Sequence, residues 1–281
     1  MELKVEDFLD GEIKTLPAVF YKLTEACEDP DSSFEDIGSI ISMDAGLSAR
    51  LLKIVNSPFF GLSQKIDSVS HAMGIIGVKQ LNDLVLSTAV ADKFQGIHED
   101  LIDMESFWRH SIACGMIARD IGKFNKNPNS EQLYLAGLIH DLGTLVICDR
   151  QPDKAREIFN RCNFSRDFLF EAEREVLGFN HADVGGALLK FWEMPELLIE
   201  TVFFHNDPLS AKEYKQEVGI VHIADRLTYD LQLGTGGEYF FPPITDELFS
   251  SIKISQNLFD FIKVRVMDQM DEIVSTFLTH A

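Results

Sequence analysis

The chain has 281 residues, with 25 Lys and Arg against 45 Asp and Glu, so its net charge is −20. This length allows about two domains of ordinary size, and 46% hydrophobic with 25% charged residues is typical of a folded globular protein. The acidic balance argues against nucleic-acid binding and against anionic membrane surfaces, because both need clustered Lys and Arg. A small phosphorylated ligand stays compatible with this charge, since one local basic or metal-bearing pocket is enough.

The sequence predicts a cytoplasmic protein without a membrane span. The apolar run at residues 133–139 is far shorter than the roughly 20 residues that cross a bilayer. The N-terminus lacks the basic and apolar regions of a signal peptide. The four cysteines (Cys27, Cys114, Cys148 and Cys162) form no Cys-x-x-Cys pair, and Cys114 and Cys148 fall in apolar helical patterns that predict buried thiols. A reducing compartment suits this cysteine usage.

The first third of the chain predicts short, capped helices. Ser32 and Glu35 have the spacing of a capping box ahead of an apolar run. Asp44 is placed to cap the next helix. That helix should end before Pro58, because the residue that precedes a proline is disfavoured in the α region.

Another helix is predicted to begin after Ser68 and to end at Gly77, a residue type that commonly terminates helices. Residues 78–94 continue with helical periodicity. The best domain boundary lies at residues 95–104, where a polar stretch separates two periodic helices. We therefore expect one unit at residues 1–95 and a second at residues 96–281.

The rest of the chain also predicts helices, with no convincing strand alternation. The predicted helices cover residues 107–124, 131–148, 152–161, 167–177, 181–192, 195–204, 217–231 and 260–278. Residues 234–243 are rich in Gly and Pro and are predicted to be irregular. They form either a surface loop or a lid.

Histidines and aspartates recur on successive predicted helices. They are His110, His140, Asp141, His181, His205 and Asp225. His140 and Asp141 follow the apolar run at residues 133–139, so a buried helix would carry them into the core. A buried charge without a partner is costly, and a metal or another polar partner would relieve that cost. Imidazoles and carboxylates together suit Fe, Mn, Ni or Zn.

Two plainer interpretations of these residues remain open. Each histidine could be a hydrogen-bonded core or surface residue. Each aspartate could pair with a backbone donor or with an arginine, and Arg109, Arg119 and Arg226 are available. The ordered arrangement His…His-Asp…Asp on successive helices is what favours a metal site.

This arrangement resembles the HD superfamily of helical metal-dependent phosphohydrolases. The matching residues are His110, the run His140-Asp141-Leu142-Gly143, and Asp225. The N-terminal third resembles one branch, the HDOD domain, and the resemblance extends over roughly residues 14–210. It rests on the motifs Leu16-Pro17-Ala18-Val19, Asp29-Pro30-Asp31-Ser32-Ser33, Asp44-Ala45-Gly46-Leu47, Asn56-Ser57 and Ser68-Val69-Ser70-His71-Ala72.

The resemblance implies an all-α fold, in which a small N-terminal helical subdomain packs on an HD-type helical core. HDOD proteins are bacterial signalling or regulatory modules, and many have lost the HD metal ligands. Here the ligands are retained, so the resemblance implies that His110, His140, Asp141 and Asp225 hold one divalent transition metal. His181 and His205 look like the extra histidines that bring a second ion in the HD-GYP relatives, which cleave cyclic di-nucleotides.

The chain departs from the HD-GYP pattern at several positions. Thr144 stands where those enzymes have a phosphate-binding lysine, and Asn206 follows His205 where they have a second histidine. Residues 206–210 have no counterpart of the Gly-Tyr-Pro signature. Position 106, four residues before the first histidine, is serine, with Glu105 one step out of register. These departures weaken the prediction of a cyclic di-nucleotide phosphodiesterase more than the prediction of a metal site.

Three hypotheses follow. The chain is a signalling module with a structural or sensory metal and no efficient turnover, or a metal-dependent phosphohydrolase, or a metal-free helical scaffold. In the enzyme hypothesis Asp141 ligates the metal and positions a water, while Arg109 and Lys190 are the nearest basic residues, although both fit a solvated face. In the first hypothesis the partners are signalling proteins in other chains, with a phosphorylated or nucleotide ligand as a further partner.

Overall fold

The computed structural model describes residues 3–9, 11–94, 96–252 and 254–278. These residues form α-helices and three short 3-10 helices, with no β-strand among them. The predicted all-α fold is therefore confirmed. The 3-10 helices are Val5–Phe8, Gly11–Lys14 and Pro208–Ser210. Within the described ranges, no helix combines the length and the apolar character that crossing a bilayer requires.

The chain divides into two compact units. The larger unit consists of Met1–Thr15 and Phe94–Val266, and the smaller unit of Leu16–Lys93 and Met267–Ala281. The chain thus passes from the smaller unit to the larger one beside the polar stretch at residues 95–104. A single boundary would place the N-terminal segment in the smaller unit and the C-terminal segment in the larger unit. Instead, residues 1–15 belong to the larger unit and residues 267–281 to the smaller unit. For the first segment the reason is packing, since Phe8 meets Phe179 edge to face at 5.1 Å between ring centroids.

The smaller unit is built from short helices. They are α1 (Ala18–Glu28), α2 (Phe34–Ser42), α3 (Ala45–Val55), α4 (Val69–Ile76) and α5 (Val78–Lys93). The sequence analysis missed α1. The predicted caps Asp44 and Ser68 are confirmed, because their side chains accept hydrogen bonds from the backbone of Leu47 and His71.

The predicted capping box of α2 is wrong by one residue. Ser33, not Ser32, accepts from the backbone N–H of Asp36 at 3.2 Å. Asp36, not Glu35, accepts from the backbone N–H of Ser33 at 2.9 Å. Two adjacent serines and two adjacent acidic residues offer the same spacing in either register, so the sequence alone could not separate them.

The larger unit contains the remaining helices. They are α6 (Met104–Phe124), α7 (Ser130–Ile139), α8 (Leu142–Arg150), α9 (Pro152–Ser165), α10 (Leu169–Leu177), α11 (His181–Phe191), α12 (Glu196–Phe204), α13 (Lys215–Asp230), α14 (Asp246–Ile252) and α15 (Gln256–Leu278). The last of these ends in the smaller unit. Helix α14 was missed, and α6 starts earlier than predicted because Asp103 caps it.

The single helix predicted over residues 131–148 is wrong. The structure breaks it into α7 and α8 at His140 and Asp141, and Asp141 leaves helical geometry with φ −96° and ψ 11°. Every residue from 133 to 148 is buried. Because the segment is enclosed on all sides, its apolar pattern continues across the break and does not reveal it.

Helices α6 and α7 approach each other closely through two glycines. A Cβ atom at Gly137 would lie only 2.7 Å from the Cα atom of Gly115. This contact requires glycine and brings the C-terminal end of α7 against the middle of α6. It thereby places His140 beside His110. Cys114, in the same region, is a buried free thiol as predicted, and so is Cys148.

Candidate metal centre

The six predicted site residues meet inside the larger unit. His110 and Asp225 lie within α6 and α13, and His181 is the first residue of α11. The other three stand at helix ends, with His140 and Asp141 between α7 and α8 and His205 directly after α12. None of the six side chains is more than 2% exposed. The chain folds so that helix termini and helix faces deliver polar groups to one buried point.

Four of these residues form a first set of converging atoms. Nε2 of His110 lies 2.9 Å from Oδ1 of Asp225, and Nε2 of His140 lies 3.1 Å from Oδ2 of Asp141. The crossed distances, His110 to Asp141 and His140 to Asp225, are both 3.5 Å. Two imidazoles and two carboxylates thus face a common centre.

The other oxygen of Asp141 faces a second set. Its Oδ1 lies 3.6 Å from Nε2 of His181 and 3.5 Å from Nε2 of His205. The two Nε2 atoms are 3.2 Å apart, and the amide nitrogen of Asn206 lies 2.9 Å from each of them. Asp141 is therefore shared between two pairs of histidines, in the way that a carboxylate bridges two neighbouring ions.

Backbone and carboxylate acceptors fix the orientation of three histidines. Nδ1 of His140 donates to the carbonyl of Gly137 at 2.7 Å, and Nδ1 of His205 donates to the carbonyl of Val202 at 2.7 Å. Nδ1 of His181 donates to Oε2 of Glu173 at 2.6 Å. With Nδ1 protonated and engaged, each ring turns Nε2 towards Asp141. This is the usual support of metal-binding histidines.

One further carboxylate in the cluster was missed by the sequence analysis. Glu238 belongs to the irregular residues 234–243 and is 8% exposed. One of its carboxylate oxygens, one atom of His110 and one of Asp141 all lie within 4.8 Å of one another. Glu238 stands in no motif and on no periodic helix, so its only sequence signal is a lone acidic residue beside glycines.

Residues 234–243 cover the cluster. The backbone of Gly236 lies against the carboxylate of Asp141, so that a Cβ atom at this position would collide with Oδ2. Gly236, Gly237 and Glu238 are buried, whereas Tyr239 is exposed. The segment therefore covers the cluster and is not a free surface loop, while its role as a lid stays a prediction.

The electrostatics couple these groups strongly. Burial disfavours the charged forms, yet mutual attraction holds the pKa of Asp141 well below and the pKa of His140 well above their ordinary values. Burial also opposes charging of His181, but the carboxylate of Glu173 raises the pKa of His181 to about 9. Burial, together with Asp141 and Asp225, raises the pKa of Glu238 well above its ordinary range. Burial and the two neighbouring aspartates therefore disfavour the charged form of Glu238 in the metal-free cluster.

The donor set fits a divalent transition metal. Ligand atoms that share an ion at about 2.1 Å lie roughly 3.0–3.4 Å apart, which is close to the separations of 2.9–3.5 Å within the first set. Among the described residues, five of the buried atoms through which the first set faces the cluster have no hydrogen-bond partner, although oppositely charged atoms are near. They are His110 Nε2, His140 Nε2, Asp141 Oδ1, Asp141 Oδ2 and Asp225 Oδ1. Lone pairs that converge without forming hydrogen bonds are satisfied by a cation.

The arginines that could have neutralised Asp141 and Asp225 are engaged with other carboxylates. Arg109 lies 3.6 Å from Glu105, and Arg226 lies 3.0 Å from Asp230. Arg119 lies 4.0 Å from Asp120. The described groups near the two cluster aspartates that can carry a positive charge are therefore histidines, which favours the metal interpretation over the arginine one.

A helical unit that brings a His, a His-Asp pair and a later Asp to one buried point is an HD-type domain. The HDOD domain family model matches residues 13–208. The chain belongs to this HDOD family.

Similar proteins agree with this assignment. The chain is 30% identical over 226 residues to an uncharacterised protein of Treponema pallidum; the match covers 79% of this chain and 43% of the relative, so the chain spans less than half of that relative's length. An HDOD domain protein of unknown function from Geobacter sulfurreducens has a TM-score of 0.77 at 24% identity, over 97% of this chain and 95% of that chain. A protein proposed to be a phosphohydrolase, from Shewanella amazonensis, has a TM-score of 0.76 at 23% identity, over 94% of each chain. These structures share the fold.

Proposed function

We propose that this HDOD protein is a cytoplasmic bacterial signal-transduction module whose buried metal centre controls its conformation, and that it is not an efficient enzyme. The observation that carries the proposal is a retained ligand set beneath a closed cover. The ligands are at most 2% exposed, and the backbone of Gly236 lies on Asp141. A site with this construction can bind an ion firmly while excluding a substrate.

The ligands assigned to the ion are the four residues of the first set, His110, His140, Asp141 and Asp225. His181, His205 and the second oxygen of Asp141 would hold a second ion. The mixture of imidazole and carboxylate suits Fe, Mn, Ni or Zn. A bound ion would stabilise the folded state, because the unfolded chain has no preformed site.

Electrostatics around the site disfavour phosphate esters. A cavity of about 690 Å³ beside the cluster is lined by Asp103, Glu105, Asp230 and Glu238, with Arg109 as its basic residue. A phosphate entering there meets several carboxylates. Thr144, at the position of the HD-GYP lysine, is buried and carries no charge. Lys190 is exposed, as expected for a solvated side chain.

Turnover assays on metal-loaded protein test the proposal. Protein loaded with Mn²⁺, Fe²⁺ or Zn²⁺ is offered a phosphomonoester, a phosphodiester and a cyclic di-nucleotide. The matched control is the double variant His140→Ala with Asp141→Ala. We expect the same background rate in both proteins. A kcat/KM of about 10⁴ M⁻¹s⁻¹ or more that the double variant lacks would contradict the proposal.

A metal-dependent phosphohydrolase is the second candidate, because Asp141 is shared between two pairs of histidines. A metal at this position would supply Lewis-acid activation of a phosphoryl oxygen and of water. Asp141 would orient the attacking water, and Arg109 would hold the phosphate. This function requires residues 234–243 to move away from Asp141. The assay above distinguishes it from the regulatory role.

The partners proposed for the regulatory role are signalling proteins in other chains, with a phosphorylated or nucleotide ligand as the smaller alternative. The net charge of −20 favours partners with basic surfaces and disfavours nucleic acid and anionic membranes. The metal-free scaffold of the third hypothesis would leave the cluster's converging lone pairs without a cation. The metal content of the purified protein distinguishes this third hypothesis from the other two.

A further inference from the structure

We infer that Glu238 is a ligand of the metal centre, and that binding of a divalent cation holds residues 234–243 closed over the site. Binding or loss of the metal would then change the conformation of residues 234–243 at the protein surface. This inference rests on the proposed metal centre and adds the element that responds to it.

The charged form of Glu238 is unfavourable at this position unless a cation is present. Its Oε2 atom is buried with no hydrogen-bond partner in the described part of the chain. It faces the same space as Asp141, with which it forms a potential ligand group that includes His110. A third carboxylate brought towards Asp141 and Asp225 adds like charge in a buried place, which costs free energy. A divalent cation turns this repulsion into attraction.

Hydrogen bonds to helices α6 and α13 hold the segment near both of its ends. Near its start the backbone N–H of Thr235 donates to the carbonyl of Ser106 at 3.3 Å. Further on, the hydroxyl of Tyr229 donates to the carbonyl of Tyr239 at 2.8 Å. Arg226 donates to the carbonyl of Phe241 at 3.2 Å. These anchors hold the segment near the site when its centre lifts.

The centre of the segment forms a tight turn that glycines permit. The hydroxyl of Thr235 donates to the carbonyl of Glu238 at 2.9 Å and accepts from the N–H of Gly237 at 3.0 Å. Gly234 and Gly237 have φ values of +89° and +117°, which favour glycine. Because glycine lacks a side chain, the turn can change its backbone angles more freely than other residues could. Opening would separate the backbone of Gly236 from Asp141 and that of Gly237 from Phe159 and Leu169.

The cavity beside Glu238 provides a route by which a cation can reach the cluster. It is lined by Gly234, Thr235 and Glu238 on the side of the segment and by Asp103, Glu105 and Asp230 among its other residues. A cleft lined by carboxylates raises the local concentration of cations. Glu238 lies between this cavity and the buried cluster, where it can accept the incoming ion and carry it to His110 and Asp141.

Hydrogen exchange of the full chain tests the inference, with Mn²⁺ or Zn²⁺ as the probe and chelator-treated protein as the reference. The measured quantity is deuterium uptake in peptides that cover residues 234–243, together with metal content. In the wild type we expect the ion to slow uptake in this segment about tenfold or more. In Glu238→Gln the ion should bind roughly 10–100-fold more weakly and, at saturation, leave the uptake of the segment nearly unchanged.

Two further variants make the test specific. Glu171→Gln, an exposed residue on α10, applies the same chemical change away from the site and should behave as the wild type. Glu238→Asp keeps a carboxylate and should restore part of the protection. If the wild type binds metal and the uptake of the segment does not change, the inference is wrong while the metal centre stands. Full protection of Glu238→Gln would also overturn it. If the wild type binds no metal, the proposed metal centre fails as well.

Discussion

Glu173 holds His181 at two points. Oε2 of Glu173 accepts from Nδ1 of His181 at 2.6 Å and from the backbone N–H of His181 at 2.8 Å. The same carboxylate oxygen therefore fixes both the ring and the start of α11. Glu173 is 1% exposed and lies too far along the chain from His181 to be recognised as its partner from spacing.

The first prediction concerns this carboxylate. Glu173→Gln should weaken metal binding about 10–100-fold, because loss of an outer carboxylate leaves the ligating imidazole less basic and less well oriented. Competition with a chromogenic chelator measures the affinity. Glu175→Gln, an exposed neighbour on the same helix that pairs with Arg161, is the matched control. Equal affinities for the two variants would contradict the positioning role of Glu173.

The second prediction concerns pH in the metal-free protein. The folded-state pKa of His181 is raised to about 9, above the ordinary value of about 6.5 for the unfolded chain. Its charged pair with Glu173 thus stabilises the fold fully below pH 6.5, and this contribution is lost as the pH rises to about 9. The loss is about 3 kcal/mol. Chemical unfolding in chelator between these pH values measures it. Glu173→Gln should flatten the dependence, and an equally steep curve for that variant would refute the assignment.

The third prediction concerns Gly236. A methyl group there would collide with the carboxylate of Asp141, so Gly236→Ala must displace either the segment or the ligand. We expect a loss of about 1–3 kcal/mol in the free energy of unfolding and weaker metal binding. Gly74→Ala is the control, because a Cβ atom there meets no described atom within 4 Å. A Gly236→Ala variant as stable as the control would show that the segment does not lie on Asp141.

The fourth prediction concerns metal-dependent stability. An ion present at about 100 times its dissociation constant adds about 2.7 kcal/mol to the free energy of unfolding, which raises the Tm by several degrees. Asp225→Asn removes one carboxylate ligand while keeping the shape of the side chain, so its Tm should respond much less to the ion. Asp268→Asn, an exposed change on α15, should respond as the wild type does. Differential scanning calorimetry with and without the ion checks both.

The candidate ligands could be predicted from the sequence because their chemistry is conspicuous. An imidazole or carboxylate at the end of an apolar run, such as His140 and Asp141, stands out against the residues around it. The all-α class and most helices followed from periodicity in the same way. The spacing of caps such as Asp44 and Ser68 was also sufficient, because capping involves only neighbouring residues.

The features that the sequence analysis missed depend on distant contacts. The break between α7 and α8 lies inside a segment that is buried throughout, so its apolar pattern carries no mark of it. Glu238 joins the cluster only because residues 234–243 fold back over Asp141. An irregular segment has no periodicity from which the orientation of its side chains could be predicted. Glu173 reaches His181 from another helix. Such residues become visible only when the helices are assembled.

Elemental analysis of protein purified without an affinity tag tests the central claim most directly, with wild type compared with His140→Ala. The account predicts one to two transition-metal ions per wild-type chain and their loss in the variant, because Nε2 of His140 faces both Asp141 and Asp225. A low metal content that is the same in both proteins would contradict it. The buried histidines and aspartates would then be held by protons alone.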